Sequence, residues 1–192
     1  MGACLTVALI GVAVLLSSAS YANGPPRATE EVLHYLEPER YGNKVPAWVI
    51  AELKARGCKI PQASYFDPKP HNLIRGQFVT PGQLDWAALC SRKNKSSIML
   101  ISKRDGPCSD EVGVAEDNTY VQQVATQQRG FSRIIRTAKK RDILRYVKRA
   151  ESESPLAPSQ IAHEGIMDQF MDKGSSVLYC KDGRWLELLG SD

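Results

Sequence analysis

Four cysteines behind an apolar N-terminal run limit the fold of this chain more than any other feature of its sequence. Residues 4–18 carry no charge, and the small residues Ser20 and Ala22 stand where a signal peptidase would cut before Asn23. We therefore expect residues 1–22 to be a signal peptide and the cleaved chain to be periplasmic or secreted, with no transmembrane segment left. No Lys or Arg precedes the run, which leaves a retained N-terminal anchor as the alternative.

The cysteines that remain after cleavage predict disulfides. An even number of cysteines in an exported chain is typical of structural bridges, and no C-x-x-C spacing indicates a zinc or thioredoxin-like site. Cys58 follows the main predicted helix, and Cys90 ends a strand that should pack near that helix. We therefore pair Cys58 with Cys90, which leaves Cys108 to pair with Cys180.

Hydrophobic periodicity and turn residues predict a disulfide-stapled α+β fold. A leader and a short helix are expected over residues 23–44, followed by a single α+β domain over 45–192. That domain would contain an N-terminal helix, an antiparallel β-sheet meander, a basic helix and a C-terminal β-hairpin. The predicted segments are helices at 30–37, 45–57 and 139–150, strands at 72–79, 84–90 and 96–102, and hairpin strands within 175–189.

One stretch carries a resemblance to a known family. The sequence GQFVTPGQLDWAAL, which starts at Gly76, resembles a degenerate FG-GAP or VCBS-type strand pair, and HEGIMD, which starts at His163, resembles a worn loop of the same kind. Both contain a Gly-x-x-Asp step that precedes a Ser-Ser-apolar run, which predicts a short internal repeat. The chain as a whole is similar to small secreted bacterial proteins of unassigned function. The resemblance implies an envelope location and a mixed β architecture, but no activity.

The two Gly-x-x-Asp loops hold too few carboxylates for calcium, which takes six to eight oxygen ligands. The first loop offers only Asp85, and the second offers only Glu164 and Asp168. We therefore expect the Asp residues of the two loops, Asp85 and Asp168, to bond backbone amides of their turns, as Asp does in Asx turns. No metal and no cofactor is predicted.

The best acid–base residues in the chain are His163 and Glu164, with Asp168 as a third member. If these three side chains lined one pocket, they could serve an envelope hydrolase. The chain contains no G-x-S-x-G, H-E-x-x-H or Gly-rich phosphate motif. An envelope hydrolase is therefore the alternative, and a non-enzymatic module is the main hypothesis.

A strongly basic segment gives that module a candidate binding surface. Residues 129–149 hold nine Lys or Arg and one acid, Asp142, whereas the whole chain has a net charge of only +4. A continuous helix would align Arg129, Arg133, Arg136 and Lys140 in one row, with Arg141, Arg145 and Lys148 in a second. The residues predicted to bind are Arg133, Arg136, Lys139, Lys140, Arg145 and Lys148.

The compartment limits which partners could meet this segment. An exported protein encounters anionic lipids, acidic glycans and acidic proteins. Nucleic acid is not expected, since no aromatic residues are interleaved with the basic ones to stack bases. The predicted function is a binding or accessory module that contacts an anionic envelope component or an acidic protein, and an ordinary solvated helix face is the competing interpretation.

Overall fold

β-strands dominate the computed structural model, which describes residues 1–2, 30–63, 69–104, 106–150 and 154–190. The prediction of an α+β fold led by helices is therefore wrong, because the described residues form a β-rich fold with short helices. The expected signal peptide lies outside the described residues except for Met1 and Gly2. No helix within the described residues is both long enough and apolar enough to span a bilayer.

Two α-helices and thirteen strands make up most of the described chain. The helices are α1 (Ala47–Ala55) and α2 (Lys140–Arg149), and short 3-10 helices occupy Pro38–Lys44, Asp117–Tyr120 and Pro158–Gln160. The strands are β1 (Glu30–Val32), β2 (His34–Leu36), β3 (Ile60–Gln62), β4 (Leu73–Gly76), β5 (Asp85–Arg92), β6 (Lys95–Ile101), β7 (Glu111–Glu116), β8 (Val121–Ala125), β9 (Gln128–Phe131), β10 (Arg133–Ala138), β11 (Gly165–Phe170), β12 (Gly174–Lys181) and β13 (Arg184–Leu189).

The first sheet is an antiparallel meander of β4, β5, β6 and β7, with α1 on its outer face. Alternate residues of a strand point to opposite faces. Trp86 and Ala88 of β5 accordingly pack with Val49 and Leu53 of α1, whereas Leu89 points to the inner face. The meander and the helix predicted before it are both present.

The second sheet repeats this arrangement with β10, β11, β12 and β13, and α2 covers its outer face. Val177 and Tyr179 of β12 pack with Ile143 and Val147 of α2. Leu178 lies between them in sequence and points to the inner face. The inner faces of the two sheets meet in one core, whose members include Phe78, Leu89, Ile98, Phe131, Ile135, Ile166 and Leu178.

Each sheet and its helix belong to one unit. Both units contain a strand, a helix, a second strand and then a hairpin, and the first unit has the additional strand β4 before its hairpin. In one unit β2 and β3 pair antiparallel around α1, and in the other β10 and β11 pair antiparallel around α2. Each unit then forms a hairpin with a two-residue turn, Lys93–Asn94 or Asp182–Gly183, in which both residues have positive φ. The hairpin β5–β6 therefore corresponds to β12–β13. The predicted repeat had a different register, since Asp85 begins β5 but Asp168 lies inside β11.

Residues 30–36 show why the helix predicted at 30–37 is wrong. β1 lies parallel to β9, and β2 pairs with β3, so this segment takes its backbone hydrogen bonds from other parts of the chain. An eight-residue helix is marginal without tertiary support. Strand pairing across long sequence distances therefore overrides the local helix signal in residues 30–36.

Two disulfides cross-link the fold, and their pairing is the one expected from the sequence. Cys58–Cys90 joins the segment after α1 to β5, and Cys108–Cys180 joins the segment before β7 to β12. The second bridge therefore connects the two units. Disulfides of this kind indicate an oxidising, non-cytoplasmic environment.

Hydrogen bonds of the Asn72 side chain form a second connection between the two units, in addition to the Cys108–Cys180 disulfide. Its amide donates hydrogen bonds to the carbonyl oxygens of Pro61 (2.7 Å) and Arg133 (3.1 Å), and its oxygen accepts one from the Ile135 N–H (2.9 Å). Asn72 is buried and has a φ of 67°, a left-handed conformation that Asn tolerates better than most residues. One short side chain thus bonds three backbone groups, one in the first unit and two in the second.

Candidate functional site

An open cleft at the start of α2 brings together several of the residues singled out in the sequence. It has a volume of about 710 Å³, and the first residues of α2, with Lys139 before them, and the segment before β11 supply most of its wall. Its lining contains three cationic side chains and a single carboxylate. The lining residues are Gln77, Lys139, Lys140, Arg141, Ile161, Ala162, His163 and Glu164.

Glu164 is held at the edge of this cleft by two partners. Its carboxylate forms an ion pair with Lys139 and accepts a hydrogen bond from the Gln77 N–H at 2.8 Å. Gly76 permits this approach, because a Cβ there would lie 2.7 Å from Glu164 Oε2. Burial by itself would raise the pKa of Glu164, but the hydrogen bonds from Lys139 and Gln77 outweigh it and lower the pKa below the ordinary value. Glu164 is therefore an ionised structural partner and a poor proton donor near neutral pH.

We expect the contribution of Glu164 to stability to depend on pH. A carboxyl whose pKa is lower in the folded chain stabilises that chain above its ordinary pKa of about 4.5, and the contribution is lost as the pH falls below that value. Glu164→Gln should therefore lower Tm by roughly 2–4 °C at pH 7. The difference from the parent chain should shrink towards pH 3 in thermal unfolding followed by circular dichroism. A difference that stays constant or grows in acid would contradict this account.

Both ring nitrogens of His163 contact backbone carbonyl oxygens. Nδ1 lies 2.8 Å from the Glu164 oxygen and Nε2 lies 3.0 Å from the Cys180 oxygen. The imidazole also stacks on Tyr179, with the ring centroids 4.3 Å apart and the planes within 4°. These contacts leave no ring nitrogen facing the cleft as a general base.

Asp168 lies elsewhere, on the inner face of the second sheet, in a buried ion pair with Arg133. Arg133 Nε and Nη2 donate to the two carboxylate oxygens at 2.9 and 2.7 Å, and Nη2 also donates to the Gly113 oxygen at 2.8 Å. The guanidinium carbon lies 4.5 Å from the ring centroid of Tyr120. Burial acts to lower the pKa of Arg133, but Asp168 raises it above the ordinary value. The trio predicted for a hydrolase therefore does not share one pocket.

The six residues predicted to bind divide into one buried and five exposed side chains. Arg133 is fully buried, whereas Arg136, Lys139, Lys140, Arg145 and Lys148 are exposed. Arg133 and Arg136 lie on β10 three residues apart, so they point to opposite faces of the sheet. The continuous helix that would have aligned them with Arg129 is absent, since Arg129 lies on β9.

The second predicted row is present on α2 and points away from the protein. Ile143, Tyr146 and Val147 face the core, so the helical repeat places Arg141, Arg145 and Lys148 on the opposite, exposed face. We name this row the outward face of α2. Asp142 is the acid that pairs with it among the described residues, at 3.6 Å from Arg141 and 3.7 Å from Arg145.

The carboxylate of the first Gly-x-x-Asp step is buried in its own turn. Asp85 accepts hydrogen bonds from the Phe78 N–H at 3.3 Å, from Gln83 Nε2 at 2.8 Å and from Ser102 Oγ. Asp85 thus bonds one backbone amide, as expected, together with two side chains. The same expectation is wrong for Asp168, which lies inside β11 and bonds the Arg133 side chain. In the part of the chain that the structure describes, no three His, Cys, Asp or Glu side chains are grouped so that they could hold a metal ion.

Comparison with known protein families, with curated proteins and with solved structures finds no match for this chain. The resemblance to FG-GAP and VCBS strands therefore stays a prediction.

Proposed function

We propose that the protein is an exported, non-enzymatic binding module that uses the outward face of α2, together with the adjoining cleft, to contact an anionic envelope component. The apolar run before Asn23 and the two disulfides support a periplasmic or secreted location. Its partner would carry phosphate, sulfate or carboxylate groups.

One observation carries this proposal: α2 presents a row of cationic side chains on the side that faces away from the core. Arg141, Arg145 and Lys148 lie on the outward face of α2, and Lys139 and Lys140 continue the positive charge into the cleft. Like charges at this spacing repel one another, and burial of the opposite face does not require them. Their attraction to an anionic surface would amount to about 1 kcal/mol for each engaged Lys or Arg and would weaken with salt.

Charge reversal tests the proposal. We expect Arg141→Glu, Arg145→Glu and Lys148→Glu together to lower binding to vesicles of phosphatidylglycerol in phosphatidylcholine, or to dextran sulfate beads, roughly a hundredfold at low salt. Co-sedimentation measures both. The fold should be retained, because all three side chains are exposed.

A matched variant controls for net charge. Lys44→Glu, Lys93→Glu and Arg104→Glu change the charge by the same amount at three exposed positions away from α2, and this variant should bind more tightly than the α2 variant by at least tenfold. The proposal fails if both variants lose binding equally, or if the parent chain binds neither vesicles nor beads.

A further inference from the structure

A second, smaller cleft opens on the inner face of the second sheet, where the 3-10 helix Asp117–Tyr120 forms the opposite wall. Its volume is about 400 Å³, within the usual range for small-ligand pockets. Three strands, β11, β12 and β13, and the 3-10 helix contribute to it, from parts of the chain distant in sequence. The lining residues are Thr119, Tyr120, Asp168, Phe170, Gly174, Ser175, Ser176, Glu187, Leu189 and Gly190.

Two hydroxyl groups lining this cleft lack partners within the described residues. Ser176 is only 8% exposed, yet its hydroxyl makes no hydrogen bond to the described chain. The Tyr120 hydroxyl likewise has none there, although its ring contacts Arg133 and Phe170. Neither hydroxyl is among the fully buried side-chain atoms that lack a partner in the described chain, so both open onto the cleft and can bond a ligand seated there.

The charge of the cleft is negative. Its lining contains two carboxylates, Asp168 and Glu187, and no Lys, Arg or His. Arg133 neutralises Asp168 from behind, while Glu187 is exposed and has no ion pair in the described part of the chain. Burial raises the pKa of Tyr120, and the charges of Asp168 and Glu187 raise it further against the opposing effect of Arg133. Because Arg133 neutralises Asp168, the carboxylate of Glu187 is the negative charge that a ligand in the cleft would balance.

The rest of the lining is apolar. Phe170 and Tyr120 meet edge to face, with centroids 5.3 Å apart, and Leu189 is 69% exposed beside them. Such a surface suits methylene groups next to a positive charge. We propose that this cleft binds a small aliphatic amine, whose ammonium group is held by Glu187 and Ser176 while its carbon chain lies against Phe170 and Leu189.

Two probes of equal length separate charge recognition from hydroxyl recognition. The disulfide-bonded chain is titrated with 1,4-diaminobutane and with 1,4-butanediol at constant ionic strength, and amide shifts are followed by ¹H–¹⁵N NMR. We expect the diamine to produce saturable shifts at Tyr120, Ser176 and Glu187, and the diol to produce none.

Substitutions in and near the cleft complete the test. Glu187→Gln should weaken diamine binding at least about tenfold, which corresponds to about 1.4 kcal/mol, and Ser176→Ala should weaken it a few fold. Asp182→Asn removes the same charge at the far turn of the β12–β13 hairpin and should leave the affinity unchanged. The proposal is overturned if the diamine gives no saturable shifts, if the diol gives the same ones, or if Asp182→Asn weakens binding as much as Glu187→Gln.

Discussion

Replacing Arg133 with methionine is expected to destabilise the folded chain by about 3–5 kcal/mol. The guanidinium is fully buried and makes two hydrogen bonds to Asp168 and one to the Gly113 oxygen. Methionine fills much of the same volume but leaves the Asp168 carboxylate mostly buried, with a side-chain exposure of 14% and no cation beside it. Urea unfolding with the disulfides intact measures the loss.

Two further variants separate the loss of the buried ion pair from the general effect of replacing an arginine with methionine on this strand. Arg136→Met makes the same substitution at an exposed position of the same strand, and it should cost less than about 1 kcal/mol. Combining Arg133→Met with Asp168→Leu removes both charges and should recover most of the stability, as buried pairs replaced by apolar groups often do. Equal losses in Arg133→Met and Arg136→Met would show that the buried pair is not structural.

Removal of the Cys108–Cys180 disulfide is expected to cost about 4 kcal/mol. The bridge spans 72 residues and connects the two units within the core that lies between the two sheets. In the chain-entropy account, the loss grows with the length of the loop that the bridge closes. Cys108→Ala with Cys180→Ala should therefore lower the free energy of unfolding, again measured in urea.

The other disulfide provides the comparison. Cys58–Cys90 spans 32 residues. Cys58→Ala with Cys90→Ala should therefore lower the free energy of unfolding slightly less than removal of Cys108–Cys180 does, and the two losses should differ by less than about 1 kcal/mol. If removal of Cys108–Cys180 cost less than about 1 kcal/mol, the bridge would not hold the two units together.

Local sequence signals located the elements that depend on local chemistry. Pro46 and Gly57 bracket α1, and the turn at Asp182–Gly183 joins β12 to β13. The fold class was wrong because short strands such as β1 and β2 exist only through distant partners. β1 lies beside β9, almost a hundred residues later in the chain, and no local pattern encodes that pairing.

The dependence on distant partners also explains why the sequence did not show that Arg133 of the basic segment is buried. Arg133 looks like its basic neighbours in the sequence, but its burial depends on Asp168, which lies 35 residues away on the adjoining strand. The cleft that holds Ser176 and Glu187 is likewise assembled from separated segments. By contrast, the spacing of Arg141, Arg145 and Lys148 matches the helical repeat. The prediction from sequence that these three side chains align on one face of a helix is therefore confirmed.

Lysine footprinting of the unmodified sequence tests most directly whether anionic surfaces contact the protein at α2. Lys140 and Lys148 lie on or beside the outward face of α2, whereas Lys44 and Lys93 are exposed elsewhere. An amine-reactive ester is applied at low salt with and without phosphatidylglycerol vesicles, and the rate at each lysine is read by mass spectrometry. We predict that vesicles slow the reaction of Lys140 and Lys148 several fold and leave Lys44 and Lys93 unchanged. Equal protection of all four lysines, or protection of Lys44 and Lys93 alone, would contradict the claim.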